Sequence, residues 1–359
     1  MSISMPVSLA ILACVNTTYS AADEREITND LRLLVVGAFA HHGPAFYEHE
    51  VERCLAVLAT APRDFDARND LGAALTKLGR YDEAEARFLE NEEFHPGKYR
   101  TASNLGVLYK KWSRLDDAEE WVGRALAIRP GGHMGLGDYY LRMIQWRKNK
   151  KDAVEAPARN FLGHPYTAGW SATAESANRE FLITLIKNDM HFSDEYVVLG
   201  DVLFAEKDYR TAARSYARAL FLGHSWALAS ERYEMARAKL EDLAPFGTEL
   251  KTQAANDAPF FGEFDTAQGW LEEYQALERD RLEQGLPVDF AAMKPALVEA
   301  GIVPLTITEV YRGTWLSKAT NPAFLFWTFL QCAIAVVSLL FLRQMWTEIC
   351  SKPEPASSS

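Results

Sequence analysis

The chain has 359 residues, 48% of them hydrophobic and 24% charged, and a formal net charge of −11. That acid excess argues against a nucleic-acid surface, which needs clustered lysine and arginine. Its four cysteines, Cys14, Cys54, Cys332 and Cys350, are too scattered for a metal-ligand spacing or a disulfide framework.

Residues 1–22 read as a secretory signal. Met5 to Val15 is an apolar run too short to span a bilayer, and Ser20 and Ala22 offer small residues for cleavage, although a basic leader is missing. Residues 31–64 read as an atypical first repeat, since Pro62 lies 34 before Pro96, and its first helix runs around Leu31 to Phe39. The second, from Phe46 to Leu58, puts Val51, Cys54, Leu55 and Leu58 on one face. Between and within them lie His41, His42 and His49, in the string AHHGPAFYEHE. Imidazoles beside Glu48 and Glu50 are candidate metal ligands, for a sensor or an enzyme. Gly43-Pro44 prevents one helix from carrying all three.

Residues 65–132 hold two segments that align without a gap. Leu71-Gly72 meets Leu105-Gly106, Tyr81 meets Leu115, Ala84 meets Ala118, Phe88 meets Val122 and Pro96 meets Pro130, each pair 34 apart. Leu71, Gly72 and Leu75 share one helix face. Gly72 and Gly106 allow a close helix crossing, and Gly79 suits a left-handed C-cap. Asp82 with Glu85, and Asp116 with Glu119, have the spacing of capping boxes. Pro96 and Pro130 end the second helix of each unit.

A 34-residue unit with Leu-Gly in its first helix, an Ala and a large apolar residue in its second and a closing Pro resembles the tetratricopeptide repeat (TPR) family. The resemblance implies an all-α, TPR-type helical-repeat solenoid whose first helices line a concave groove for a protein or peptide partner. It places Asn69, Thr76 and Lys77 of one unit, Ser103, Asn104, Val107, Lys110 and Lys111 of the next, and Asp201 and Phe204 of a later one in that groove. Of the family's clamp for a partner's terminal carboxylates, only Asn104 is matched. The lysines are expected to attract an acidic segment, and no cofactor is implied.

Residues 133–192 read as a repeat interrupted by an inserted loop at about 150–174, between helices at Met134 to Lys148 and Glu175 to Asn188. Phe161, His164, Tyr166 and Trp170 of that loop are candidates to cover the groove. The repeat phase returns over 193–243 with Leu199-Gly200, Tyr209, Ala212 and Tyr216, followed by a capping helix. Residues 244–321 are irregular apart from an amphipathic helix at 266–283 and a short helix near Asp289 to Ala300.

The string AFLFWTFLQCAIAVVSLLFL, residues 323–342, carries no charge. Twenty helical residues at 1.5 Å each cover a hydrocarbon core of about 30 Å, so it reads as a single C-terminal transmembrane helix followed by a short polar tail, 343–359. A cleaved signal would put the repeats outside the cytoplasm. Without one, the span is a tail anchor and the repeats stay cytoplasmic. No Gly-rich phosphate loop, G-x-S-x-G, H-E-x-x-H or C-x-x-C is present. These features together predict a membrane-tethered, non-catalytic interaction scaffold.

Overall fold

A computed structural model describes residues 27–132, 135–150, 157–166, 176–242 and 258–305, with Thr17 and Asp23. Apart from Thr17, the expected signal at 1–22 lies outside the described residues, as do the expected span at 323–342 and tail at 343–359. Among the described residues there are thirteen α-helices and no strand. No described helix is long and apolar enough to cross a membrane.

The helices are α1 (Leu31–Val36), α2 (Pro44–Thr60), α3 (Phe65–Lys77), α4 (Tyr81–Phe94), α5 (Tyr99–Lys111), α6 (Leu115–Ile128) and α7 (Gly137–Lys150). They continue as α8 (Ser176–Asn188), α9 (Ser193–Ala205), α10 (Tyr209–Phe221), α11 (Ala227–Asp242), α12 (Ala258–Glu283) and α13 (Phe290–Glu299). Each of α2 to α6 packs on the next, and α9, α10 and α11 form a second such run.

Local chemistry sets the helix ends. Asp64, Asp208 and Asp289 each accept a bond from the backbone N–H three residues on, at 2.7, 3.1 and 2.9 Å, and so start α3, α10 and α13. At the end of α3, Gly79 is left-handed (φ +74°) and Arg80 N donates back to the Leu75 carbonyl at 2.9 Å. The same turn recurs after α5 and α9 with Ser113 (φ 61°) and Lys207 (φ 66°) in the glycine's place. The expected capping boxes do not form. Arg80 and Arg114 are the N-caps of α4 and α6, without a side-chain bond. Glu85 and Glu119 instead reach across to neighbouring units, accepting from Tyr109 Oη at 2.7 Å and Gln145 Nε2 at 2.9 Å.

The repeat glycines sit where helices cross. A Cβ on Gly72 would lie 2.6 Å from Phe88, one on Gly106 2.5 Å from Val122, and one on Gly200 2.5 Å from Tyr216. Ala84, Phe88, Ala118, Val122, Ala212 and Tyr216 are fully buried beside them.

Two stretches differ from expectation. Residues 157–166 of the insertion enter the core and do not cover a groove. Phe161 is completely buried between Trp146 of α7, Phe181 of α8 and Phe192, and Tyr166 packs edge-on against Trp226. Trp170 lies outside the described residues. The amphipathic helix begins at Ala258, eight residues earlier than expected, because Pro259 falls in the first turn, where no amide donor is required. The added turns carry Phe261 and Phe264 onto Phe221, and Glu263 grips the Arg214 guanidinium at 2.6 and 3.0 Å.

Helix α12 therefore packs on α10 near one end of the repeat array and on α2 near the other. Helix α1 lies against α8, α10 and α12, with Leu34 and Val35 fully buried. These contacts close the array on itself.

Candidate functional site

One cavity of about 220 Å³ opens where this closure brings distant segments together. Its walls come from Asp23 and Ile27, the α1–α2 connection (Phe39, His41, His42), the start of α2 (Pro44, Tyr47) and the start of α13 (Phe290). The ends of α3 and α5 add Lys77 and Lys111, and the end of α8 with the turn after it adds Lys187 to His191. Each lysine occupies the last two residues of its helix, where a cation also offsets the negative end of the helix dipole.

Electrostatics divide the cavity into two sides. On one, Asp189 accepts from buried Lys110 at 2.5 Å and lies 3.7 Å from Lys111. Burial opposes ionisation of Asp189, yet Lys110 and Lys111 hold its carboxyl below the usual carboxylate range. The same burial works against the charge of Lys110, and Asp189 outweighs it, so the ammonium is held above its ordinary value. Lys187 Nζ donates to the Ile27 carbonyl at 3.0 Å and to Asn29 Oδ1 at 2.8 Å, fastening the N-terminal segment. Lys77 Nζ lies 5.9 Å above the Tyr47 ring.

On the other side, His42 is 7% exposed and stacks on Phe46 at 3.6 Å. Its Nδ1 is 2.5 Å from Glu278 Oε1 and its Nε2 3.1 Å from Asp23 Oδ2. With a carboxylate at each nitrogen the ring holds both protons. Burial disfavours that charge, but Asp23 and Glu278 raise the pKa above the ordinary value. The carboxylates serve further donors: Gly43 N donates to Glu278 at 2.8 Å and Phe290 N to Asp23 at 3.1 Å. His41 behaves oppositely. Burial, then the nearby Lys77, His191 and His42, drop it to about 4, against a bond to the Phe39 carbonyl at 3.2 Å. His191 is also lowered, first by burial and then by Arg218.

The metal reading of His41, His42 and His49 is thereby corrected. No group of three or more His, Cys, Asp or Glu among the described residues could hold a metal ion. The doubly protonated His42 has no lone pair to give, and His49 points to solvent from α2.

Of the groove residues expected from sequence, Lys77 and Lys111 line the cavity. Asn69, Thr76, Ser103, Asn104, Val107, Lys110 and Asp201 are buried in its supporting helices. Asn69 donates to the Phe65 carbonyl at 3.0 Å and accepts from Asn104 at 3.3 Å, and Thr76 Oγ1 donates to the Gly72 carbonyl at 2.7 Å. Tyr216 Oη donates to Asp201 at 2.9 Å, while burial pushes that carboxyl up to about 8. Phe204, half-buried, packs edge-on against Tyr209 at 5.0 Å. Sequence reasoning missed Lys187, which lies in the second helix of the interrupted repeat and so fell outside the aligned first-helix positions. It also missed the partners of His42, 19 and 236 residues away in the chain.

Helix pairs joined by left-handed turns, with glycines at the crossings, fit a helical-repeat solenoid. The tetratricopeptide repeat family model matches residues 66–90, from α3 into α4, and over that stretch the chain is similar to the family. No curated protein matches the chain.

Proposed function

We propose that this protein is a membrane-tethered, non-catalytic TPR-type scaffold that holds an acidic segment of a protein partner at the lysine-lined cavity. The observation carrying this reading is that Lys77, Lys111 and Lys187, from the ends of three helices, share one cavity in a chain of net charge −11. TPR units generally serve as protein- or peptide-binding surfaces, and preformed walls leave most of the ordering cost to the partner. The charge-free run at 323–342 supports the tether, which confines the scaffold near membrane partners and raises their effective concentration. The apolar amino-terminal run supports translocated repeats.

The test is chemical crosslinking in membranes followed by capture of the wild-type chain and of Lys77→Glu/Lys111→Glu. Loss of a captured acidic partner in the variant, with unchanged circular dichroism, is expected. Identical capture would move the binding surface elsewhere. Protease added to sealed vesicles of known orientation checks the tether: a chain washed off by carbonate removes it.

A further inference from the structure

We propose that Trp146, Trp226 and Asp194 form a recognition box for a methylated ammonium group, carried on a partner's lysine or free as a small amine, and that the chain's own Lys150 plugs it. The box shares no residue with the lysine-lined cavity, and either site can hold without the other.

Two aromatic faces and one acceptor make the box. The Trp146 and Trp226 rings stand at 76° with centroids 6.1 Å apart, and the Lys150 ammonium lies 4.4 and 4.7 Å from them. Trp146 Nε1 donates to the Arg159 carbonyl at 2.7 Å and Tyr166 packs edge-on against Trp226, so both rings are held in place. Asp194, buried in the first turn of α9, pairs with Lys150 through Oδ2. Its other oxygen is taken. Trp226 N donates to His224 Nδ1 at 3.4 Å, which leaves the imidazole proton on Nε2 to be donated to Asp194 Oδ1 at 3.3 Å. Burial opposes ionisation of Asp194, yet His224 and Lys150 hold its carboxyl below the usual carboxylate range.

A primary ammonium fits such a box poorly. It carries three N–H donors and is strongly hydrated. Asp194 Oδ2 is its one acceptor among the described residues, and aromatic faces meet the rest of the group. Burial outweighs the attraction of Asp194 and, with Arg147 acting in the same direction, lowers the Lys150 pKa. A dimethylammonium has one N–H for the carboxylate and two methyl groups for the two rings. It keeps its charge for the ring faces and has less hydration to lose.

Lys150 is also placed to leave. It is the last residue of α7, where helices fray, and its side chain keeps 19% exposure beside buried Trp226 and Asp194.

The experiment is titration calorimetry of the full chain in detergent, as wild type and as Lys150→Ala. The probes are N-acetyl-Nε,Nε-dimethyllysine amide, the unmethylated lysine amide, an uncharged isostere with carbon in place of the ammonium nitrogen, and dimethylammonium chloride. Removing the plug is expected to tighten the dimethyllysine probe by about tenfold or more, with the unmethylated and uncharged probes about tenfold weaker than it. Asp194→Asn added to Lys150→Ala should cost about tenfold. No saturable binding of dimethyllysine to Lys150→Ala with unchanged circular dichroism, or equal binding of the uncharged isostere, would overturn the proposal. Dimethylammonium that matches dimethyllysine assigns the box to a free amine, and a much weaker one assigns it to a partner's side chain. The wild-type chain gives a check that needs no variant. A bound ligand expels the Lys150 amine into solvent, so its acylation by an N-hydroxysuccinimide ester, read by mass spectrometry, should speed up when the dimethyllysine probe is present. A rate that stays unchanged or falls would remove the plug.

Discussion

At the scale of single residues, His42 is the most informative side chain. Its pKa is raised by Asp23 and Glu278, after burial has worked against it, so its contribution to stability is complete below the unfolded value near 6.5 and is lost as pH rises through the folded value. His41 and His191, lowered by burial, act with the opposite sign: stability falls as pH drops below 6.5 toward their folded values. Asp201, pushed up to about 8, loses stability in the same direction as His42, so the comparison must be made between variants. Thermal melts from pH 5 to 9 should show that His42→Gln flattens the alkaline decline and leaves the acid one. An unchanged alkaline decline would mean that His42 holds no second proton between its carboxylates. A second residue test uses the repeat turn. Ser113 holds a left-handed conformation that costs an L-residue about 1 kcal/mol, so Ser113→Gly should stabilise by roughly 0.5–1 kcal/mol in urea melts. Gly79 at the matching position shows that glycine is accommodated there.

At the scale of elements, the crossings between paired helices carry the repeat. Gly106→Leu gains helix propensity but drives a side chain into Val122, whose backbone nitrogen lies only 3.2 Å from where a Cβ on residue 106 would sit. Overpacking should prevail and cost about 1–3 kcal/mol net, read as a lower melting temperature. An equal or higher one would place Gly106 away from the crossing. These crossings were legible in the sequence because a period of 34 repeats small and large residues in phase, and each contact lies within one unit. The start of α12 was not legible. Pro259 and Gly262 resemble loop punctuation until the contact with Phe221 and Arg214 is known. The inward turn of Phe161 was hidden for the same reason: its neighbours belong to α7 and α8, on either side of a segment with no apolar period. At the candidate site, repeat alignment identified Lys77 and Lys111. It could not identify Glu278, whose pairing with His42 is set by closure and by no local pattern.

At the scale of the molecule, α12 joins the two ends of the array, so repeats that would otherwise meet only their neighbours become one cooperative body. Phe264, fully buried between α12 and α10, tests this. Phe264→Ala should cost about 3–5 kcal/mol and speed amide exchange in α1 and α2 as well as in α12. Faster exchange confined to α12 would show that the ends are not coupled. The central claim, that partners are held at the cavity this closure forms, is tested most directly by position-resolved photo-crosslinking in membranes. A photoreactive residue replaces either Pro44, exposed at the cavity rim, or Glu120, exposed on α6 away from it. The account predicts a partner crosslink from position 44 that disappears with Lys77→Glu/Lys111→Glu, and none from position 120. A crosslink from position 120 with nothing from position 44 would contradict it.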